Sequence, residues 1–405
     1  MTTVGVWRAL SPTEKIQAGR ESYIGFSVRA AGRLDLGALT TAYEAVCRAY
    51  PQFAARLEAG DDGPVFTASD ALPDVRVHDG DPERPLSGVD VAQHRALSAL
   101  NVVRDGDDVS VCLVTHHGIA DADHAIAVFA ALWSCYTDVV AGLPVDLPSH
   151  PFPRSLEDLL AERGIHGSAP TEAGVAVQPV SEQPAVVRHV VQHRLTVAET
   201  TALAELGHRE HVTINGLLSG AILLAEAEIR GLPVTDLVYR FTVNLRGHLT
   251  PRVGPTEGTN VLGGAGFQAT NGMEPTAVSI GRAVGEQLRA GLADGSIQRS
   301  LLDLVAQSRP GAKPWDPSKA PAIVSMMNWG PIPPMRTPEG LLLTNFRSAS
   351  RIRETSAMGG YVVSTFDGRT GIDLTWPVDD PELPRRLDCL REQLGRLRLT
   401  DKLNG

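Results

Sequence analysis

His116, His117, Asp121, Asp123 and His124 bring three imidazoles and two carboxylates together within nine positions. Residues of these types can move a proton, orient a base or hold a metal ion. They follow the run Val109-Ser-Val-Cys-Leu-Val-Thr115, which alternates and is rich in β-branched types, as a strand should be. Apolar residues recur at helical spacing from Ile126 onward. The histidines therefore sit at a strand-to-helix corner. Neighbours on an extended backbone point to opposite sides, so only one imidazole faces a given cavity. The aspartate four residues beyond His117 stands where the chain turns into the helix. That geometry suits one base and one orienter.

In a chain of this composition, His-His-x-x-x-Asp is expected by chance about 0.02 times. Competing readings of the corner must still be weighed. A buried, hydrogen-bonded His pair needs no catalytic role. The ligand types would suit a metal, but there is no His-Glu-x-x-His helix and the adjacent imidazoles diverge, so no metal site is predicted. Asp123 reads as a helix N-terminal acid favoured by the dipole. A Ser-His-Asp triad would need a nucleophile elbow, and no Gly-x-Ser-x-Gly is present. An aspartate so close to the base on one tight corner is better placed to hold backbone. Cys112 lies within the apolar alternation and reads as a buried, inert thiol.

Other segments must position this corner. Residues 36–49 read as an amphipathic helix and 109–115 as a core strand. From Gly142 to Ala185 the chain is punctuated by prolines and glycines, with one short helical piece at 155–163, which marks a linker. Beyond it, 186–195 reads as a strand, 198–208 and 213–230 as helices, and 236–243 as a strand. Residues 361–376 alternate on both sides of Asp367-Gly368, a hairpin signature, and 381–397 read as a terminal helix. The similar element order of the halves implies an α/β double domain, divided as 1–145, a linker at 146–185, and 186–405.

The chain has 405 residues, beyond the roughly 250 to 300 at which single cores stop growing, so two cores are expected. Its formal net charge of -10 disfavours nucleic acid or an anionic membrane as partner. The four cysteines, at 47, 112, 135 and 389, form no Cys-x-x-Cys pair and argue for a reducing compartment. No run of about 18 apolar residues occurs, and the N-terminus lacks a basic segment followed by an apolar one. A cytoplasmic protein with no membrane span is expected.

Together these segments resemble one superfamily. His116-His117-x-x-x-Asp121 resembles the signature of acyltransferases related to chloramphenicol acetyltransferase and to nonribosomal peptide condensation domains. Phe241-Thr-Val-Asn-Leu-Arg246, followed by Gly258-Thr-Asn260, resembles their second conserved region. Within one branch the likeness extends further. Ile119-Ala-Asp-Ala, Thr256-Glu-Gly-Thr-Asn-Val-Leu-Gly, Leu292-Ala-Asp-Gly-x-Ile-Gln and Pro334-Met-Arg-Thr-Pro338 are similar to polyketide-associated acyltransferases typified by phthiocerol/phthiodiolone dimycocerosyl transferase.

The resemblance implies two chloramphenicol acetyltransferase-like subdomains with an active-site tunnel between them. It implies that His117 is a general base and His116 its packing or orienting neighbour, with Asp121 paired to Arg246 to pin the loop. The reaction implied is direct attack of a hydroxyl or amine on an acyl thioester carried by coenzyme A or an acyl carrier protein, with no further cofactor. A polyketide- or lipid-like alcohol is favoured as acceptor. An amide-forming condensation enzyme and a catalytically idle module that binds a carrier protein or acyl thioester are the alternatives. A monomer is expected, because the second half supplies the partner face.

Some positions depart from the pattern or stay open. Many relatives carry Asp-Phe-Gly-Trp-Gly, whose nearest counterpart here, Met326-Met-Asn328-Trp329-Gly330, lacks the aspartate. Asn328 and Trp329 either border the channel or belong to a surface loop. The Asn260 amide either assists the oxyanion or acceptor, or satisfies backbone groups. A carrier protein, itself usually acidic, would need a basic patch. Arg282, Arg289 and the group Arg347, Arg351 and Arg353 are the candidates, against a reading as ordinary solvated charges.

Overall fold

The computed structural model describes residues 5–69, 72–168, 185–188, 190–307, 321–353, 359–377 and 380–403. Its first half runs β1 (Val6–Ala9), α1 (Pro12–Gly19), β2 (Tyr23–Ala31), α2 (Leu36–Ala49), β3 (Ala55–Gly60), β4 (Gly63–Ala68), β5 (Val75–Asp79), β6 (Ser98–Asp105), β7 (Asp108–His116), α3 (Ala122–Val140) and α4 (Leu156–Ala161). The second runs β8 (Val186–Arg188), β9 (Val191–Arg194), α5 (Val197–Glu210), α6 (Ile214–Arg230), β10 (Leu237–Asn244), β11 (Leu262–Phe267), α7 (Ala277–Ala293) and α8 (Ser296–Gln307). It continues with β12 (Ala322–Pro331), β13 (Leu342–Ile352), β14 (Tyr361–Phe366), β15 (Arg369–Leu374) and α9 (Leu383–Leu403).

Two six-stranded mixed sheets dominate, in the orders β5-β6-β7-β2-β13-β8 and β11-β10-β12-β14-β15-β9, beside a small β1-β4-β3 sheet. Strand β7 lies inside the first. Its Val109, Val111 and Leu113 pack with residues of α2 and α3, while Cys112 and Val114 join Tyr23, Leu86 and Ala349 on the opposite face. Both faces are covered, so the alternation that marks β7 as a strand is buried throughout. On α3, Ala125, Phe129, Leu132, Trp133 and Tyr136 are buried, and each large apolar side chain so placed contributes about 1.5–3 kcal/mol.

The sheets do not divide where the linker suggests. Strand β13, late in the sequence, pairs antiparallel with β2 from Leu342↔Ala31 to Arg351↔Tyr23, and β8 pairs with β13. The second half thus covers an edge of β2 that would otherwise lie open. The reach 186–195, read as one strand, is two: β8 serves the first sheet and β9 pairs with β15 in the second. The crossover is tied down from the second sheet. Asp373 of β15 accepts from the Ser348 amide at 2.6 Å and its hydroxyl at 2.7 Å, and Gln192 of β9 donates to the Phe346 carbonyl and to Asp373, each at 2.9 Å.

The predicted linker is in part built structure. Leu156, Leu159 and Leu160 of α4 are fully buried in the second core, and Arg154 bridges to Gly258; residues 169–184 of that stretch lie outside the described residues. In the second sheet, Leu237, Tyr239, Phe241 and Val243 of β10 are buried in one core with α6 and α7. Helices α6 and α7 cross closely. A Cβ on Gly220 would lie 2.3 Å from the Ala277 carbonyl oxygen, and one on Gly281 2.5 Å from that of Gly216. The hairpin β14–β15 turns at Asp367 and Gly368, whose φ values of 51° and 70° are both left-handed, as an Asp-Gly turn requires.

Candidate active site

Strand β7 ends at His116, where the two imidazoles separate. His116 is fully buried. Its Nδ1 accepts from the Gly118 amide at 3.0 Å, and its ring meets Tyr23 edge to face at a centroid distance of 5.0 Å. That bond leaves the ring proton on Nε2. Burial, with His117 adding to it, depresses the His116 pKa to about 3, so the ring is neutral. Gly118 is needed here, since a Cβ would lie 2.9 Å from His116 Nδ1.

His117 is the partly exposed member of the pair. Its backbone is pinned on both sides: its amide donates to the Ser22 carbonyl at 2.7 Å, and its carbonyl accepts from Asn260 Nδ2 at 2.7 Å. Burial lowers the pKa of the His117 ring, opposed in part by its own carbonyl, the Asp121 charge, the Asn260 side chain and the Ala120 carbonyl.

Asp121 caps α3, its Oδ1 accepting from the His124 amide at 3.0 Å. Its Oδ2 accepts from Arg246 Nη1 and from the Val261 amide, both at 2.8 Å. Both side chains are almost wholly buried, Asp121 at 0% and Arg246 at 6% exposure, so neither charge is screened by solvent. Burial works against the carboxylate, yet Arg246 and the His124 amide outweigh it and hold Asp121 below its usual range. Arg246 sits in the turn just after β10, where its Nε also pairs with Asp123 at 3.4 Å.

The corner is read by four consecutive residues of the second half. The Gly258 carbonyl accepts from His124 Nδ1 at 2.9 Å and the Thr259 carbonyl from the Asp121 amide at 2.7 Å. Asn260 holds the His117 carbonyl and the Val261 amide holds Asp121. The Thr259 hydroxyl also donates to Glu14 at 2.7 Å, a buried carboxylate that Arg8 pairs with at 2.7 Å. Sequence reasoning passed over Glu14, Arg8 and Gln52. Ser11-x-x-Glu14 carries a capping-box signature, which locates the start of α1 but not this latch.

His124 is wholly buried, donating through Nδ1 to Gly258 and accepting through Nε2 from Gln52 at 2.8 Å. Burial depresses its pKa to about 4. With Asp121 given to Arg246, the corner's ligand types are engaged by the protein itself. Among the described residues no three His, Cys, Asp or Glu side chains converge to hold a metal. Cys112 is buried and free, its thiol pKa pushed up by burial.

The remaining candidates scatter. Asn260 donates one of its two amide hydrogens to the His117 carbonyl, a backbone-satisfying contact. Asn328 is exposed and donates to Asn215 Oδ1 at 2.8 Å at the start of α6. Trp329 projects from β12 of the second sheet onto Phe26 and Phe346 of the first, at 5.0 and 6.2 Å between centroids, so it joins the halves. Arg282 and Arg289 are exposed on α7, Arg282 donating to the Glu210 carbonyl. Arg347 cannot serve as a docking residue: it is buried, paired with Glu83, and donates to the Val190 carbonyl at 2.9 Å. Arg351 and Arg353 both pair with Glu21.

The two depressed histidines carry a pH signature. His116 and His124 take up protons readily once unfolded, near pH 6.5, but only near pH 3 to 4 when folded. The unfolded chain therefore binds more protons as pH falls below 6.5, and stability declines toward the folded values, by up to about 1.4 kcal/mol per histidine per pH unit. Urea denaturation between pH 7.5 and 5 should show this loss, and a flat profile for the wild type would refute it.

Residues 184–375 match the family model for the phthiocerol/phthiodiolone dimycocerosyl transferase C-terminus. A phthiocerol/phthiodiolone dimycocerosyl transferase of Mycobacterium ulcerans (strain Agy99) is 32% identical over 408 residues, covering 96% of either chain. The structure of polyketide synthase associated protein 5 from Mycobacterium tuberculosis superposes with a TM-score of 0.80 at 28% identity, over 97% of this chain and 98% of that one. The first condensation domain of the calcium-dependent antibiotic synthetase shares the fold at 14% identity, with a TM-score of 0.69 over 96% of this chain and 97% of that one. With this motif corner, this pair of mixed sheets and this likeness along nearly its whole length, the chain belongs to the phthiocerol/phthiodiolone dimycocerosyl transferase family and is an acyltransferase of the chloramphenicol acetyltransferase-like fold.

Proposed function

We propose that this acyltransferase moves an acyl group from a thioester, on coenzyme A or an acyl carrier protein, to the hydroxyl of a polyketide- or lipid-like acceptor, with His117 as general base. The observation that carries the reading is the asymmetry of the corner. His116 is sealed in the core, whereas His117 is partly exposed on a backbone fixed at both its amide and its carbonyl. A hydroxyl is a poor nucleophile at neutral pH, and a positioned neutral imidazole removes its proton as it attacks the thioester carbon. The tetrahedral intermediate then collapses, the thiol leaves with a proton, and an ester remains. Asp121 and Arg246 serve the reaction by holding the corner. The names borne by the relatives favour a polyketide-derived acceptor. For a carrier-bound donor, Arg282 and Arg289 on α7 supply exposed positive charge.

The test is acyl transfer from a panel of acyl-coenzyme A and carrier-bound thioesters to simple alcohols and amines, followed by thiol release and product mass. Ester formation dependent on the alcohol is expected. Amide with amines alone would favour the condensation reading, free acid without acceptor would mean hydrolysis, and thioester binding without turnover would mean an idle module. Because burial lowers the His117 pKa, the base stays neutral well into mild acid, and the acid limb of kcat/KM should fall below 6.5. An acid limb above 6.5 would contradict that assignment.

A further inference from the structure

We infer that the open face of the second sheet beside the motif corner seats a carrier-tethered phosphopantetheine arm, with Arg240 of β10 taking its phosphate. The inference deepens the reading of a thioester donor and rests on it. Strand β10 lies inside the sheet, between β11 and β12. Its Leu237, Tyr239, Phe241 and Val243 are packed in the core with α6 and α7, whereas the alternate residues Arg240, Thr242 and Asn244 are exposed. Register sets Gly266 beside Arg240 and Gly264 beside Thr242 on β11, and Ser325 beside Arg240 on β12. Neither glycine is required by its neighbours. A Cβ on Gly264 would come no nearer than 3.8 Å to Ser300 Oγ, and one on Gly266 no nearer than 3.8 Å to the Tyr239 carbonyl oxygen, whereas on Gly263 it would lie 2.4 Å from that of Ile297. The two glycines leave a shallow trough along the exposed side of β10.

The trough starts at the reacting corner. Asn244 Oδ1 accepts from the Arg246 amide at 3.0 Å, and β11 is entered directly from Asn260 and Val261, which hold His117 and Asp121. From Asn244 to Arg240 the strand covers about 13 Å, and the arginine side chain extends that reach. Such a span suits an extended phosphopantetheine arm with its sulfur at the corner and its phosphate at the guanidinium. Thr242 and Ser325 offer hydroxyls to the amides of the arm, where a long alkyl chain would call for an apolar wall. Charge selects the source. Strands β10, β11 and β12 carry a single charged side chain, Arg240, and among the described residues it engages no carboxylate. One guanidinium matches one phosphodiester, the link between arm and carrier. The additional phosphates of coenzyme A would meet no second cation on these strands.

The experiment uses Arg240→Gln and the charge reversal Arg240→Glu, both at an exposed position, with circular dichroism as the check on folding. Calorimetry compares binding of 4′-phosphopantetheine with that of pantetheine, and steady-state kinetics compare one acyl group on the carrier and on coenzyme A. The wild type should bind the phosphorylated arm roughly tenfold more tightly. That preference should fall to nearly one in Arg240→Gln and reverse in Arg240→Glu. KM for the carrier-bound donor should rise about tenfold in Arg240→Gln with kcat little changed. An equal preference in wild type and Arg240→Gln would overturn the inference, as would a rise in KM for the acceptor in place of the donor. A loss confined to the coenzyme A thioester would overturn the carrier as the source. Binding needs no turnover, so the two readings fail separately. Arg240-dependent binding of phosphopantetheine without acyl transfer would defeat the transfer reading and leave the site, whereas transfer indifferent to Arg240 would defeat the site alone.

Discussion

The His117→Ala protein is expected to fold as the wild type does and to lose acyl transfer by about 10²- to 10⁴-fold. The fold should survive because the contacts that pin residue 117 are main-chain ones, its amide to Ser22 and its carbonyl from Asn260, and alanine keeps both. What is lost is an imidazole that is partly exposed, unlike the sealed ring of His116. His116→Ala gives the opposite pattern. There the ring fills a sealed site against Tyr23 and accepts the Gly118 amide, so its removal opens a cavity and strands a buried donor. That variant should melt well below wild type, with activity falling as structure is lost. Single-turnover thiol release, read beside circular dichroism melting curves, separates the two. Full activity in folded His117→Ala would remove the general-base assignment, while a His116→Ala protein as stable as wild type would show that the core role of that ring has been misjudged.

Much of this corner can be read locally. The alternation of 109–115 is a strand whichever sheet receives it, and Asp121 before an apolar helix marks an N-cap. The helix at 36–49 and the Asp367-Gly368 turn are likewise written in adjacent residues, and the structure has both. Features that depend on distant partners are not legible in this way. Residues 342–352 contain Thr344, Asn345, Arg347, Ser348, Ser350 and Arg351, a polar mix that gives no sign of a strand beside β2 inside the first sheet. The burial of Arg347 depends on Glu83 and Val190, neither of them near it in sequence. The split of 186–195 between two sheets leaves no periodic trace, because each piece is too short to show a pattern of its own. Asn260 was visible as a residue of interest, but its bond to the carbonyl of His117 arises only when the halves meet.

Breaking the Asp121–Arg246 pair from one side should reduce stability by about 3–5 kcal/mol, because it leaves an unpaired group in the interior. Asp121→Ala leaves the Arg246 guanidinium buried, the Val261 amide without its acceptor, and α3 without its cap. Loss of the cap alone costs about 1 kcal/mol. Arg246→Met leaves the carboxylate with two backbone donors, so it should lie toward the lower end of the range. The combined variant, Asp121→Ala with Arg246→Met, has no buried charge at this pair, and should be more stable than the summed effects of its single parents imply. Its activity should stay low, since the loop 258–261 loses the ion pair that anchors it to the base. The pH dependence identifies the source. The contribution of Asp121, whose pKa is lowered in the folded protein, is present at neutral pH and is lost only as pH falls below the usual carboxylate value of about 3.9. The losses from His116 and His124 begin already below 6.5. Urea denaturation of the four proteins at neutral pH measures the coupling. Single variants within about 1 kcal/mol of wild type, the size expected of an exposed ion pair, would mean that solvent reaches Asp121 and Arg246 and that their pairing does not hold the corner.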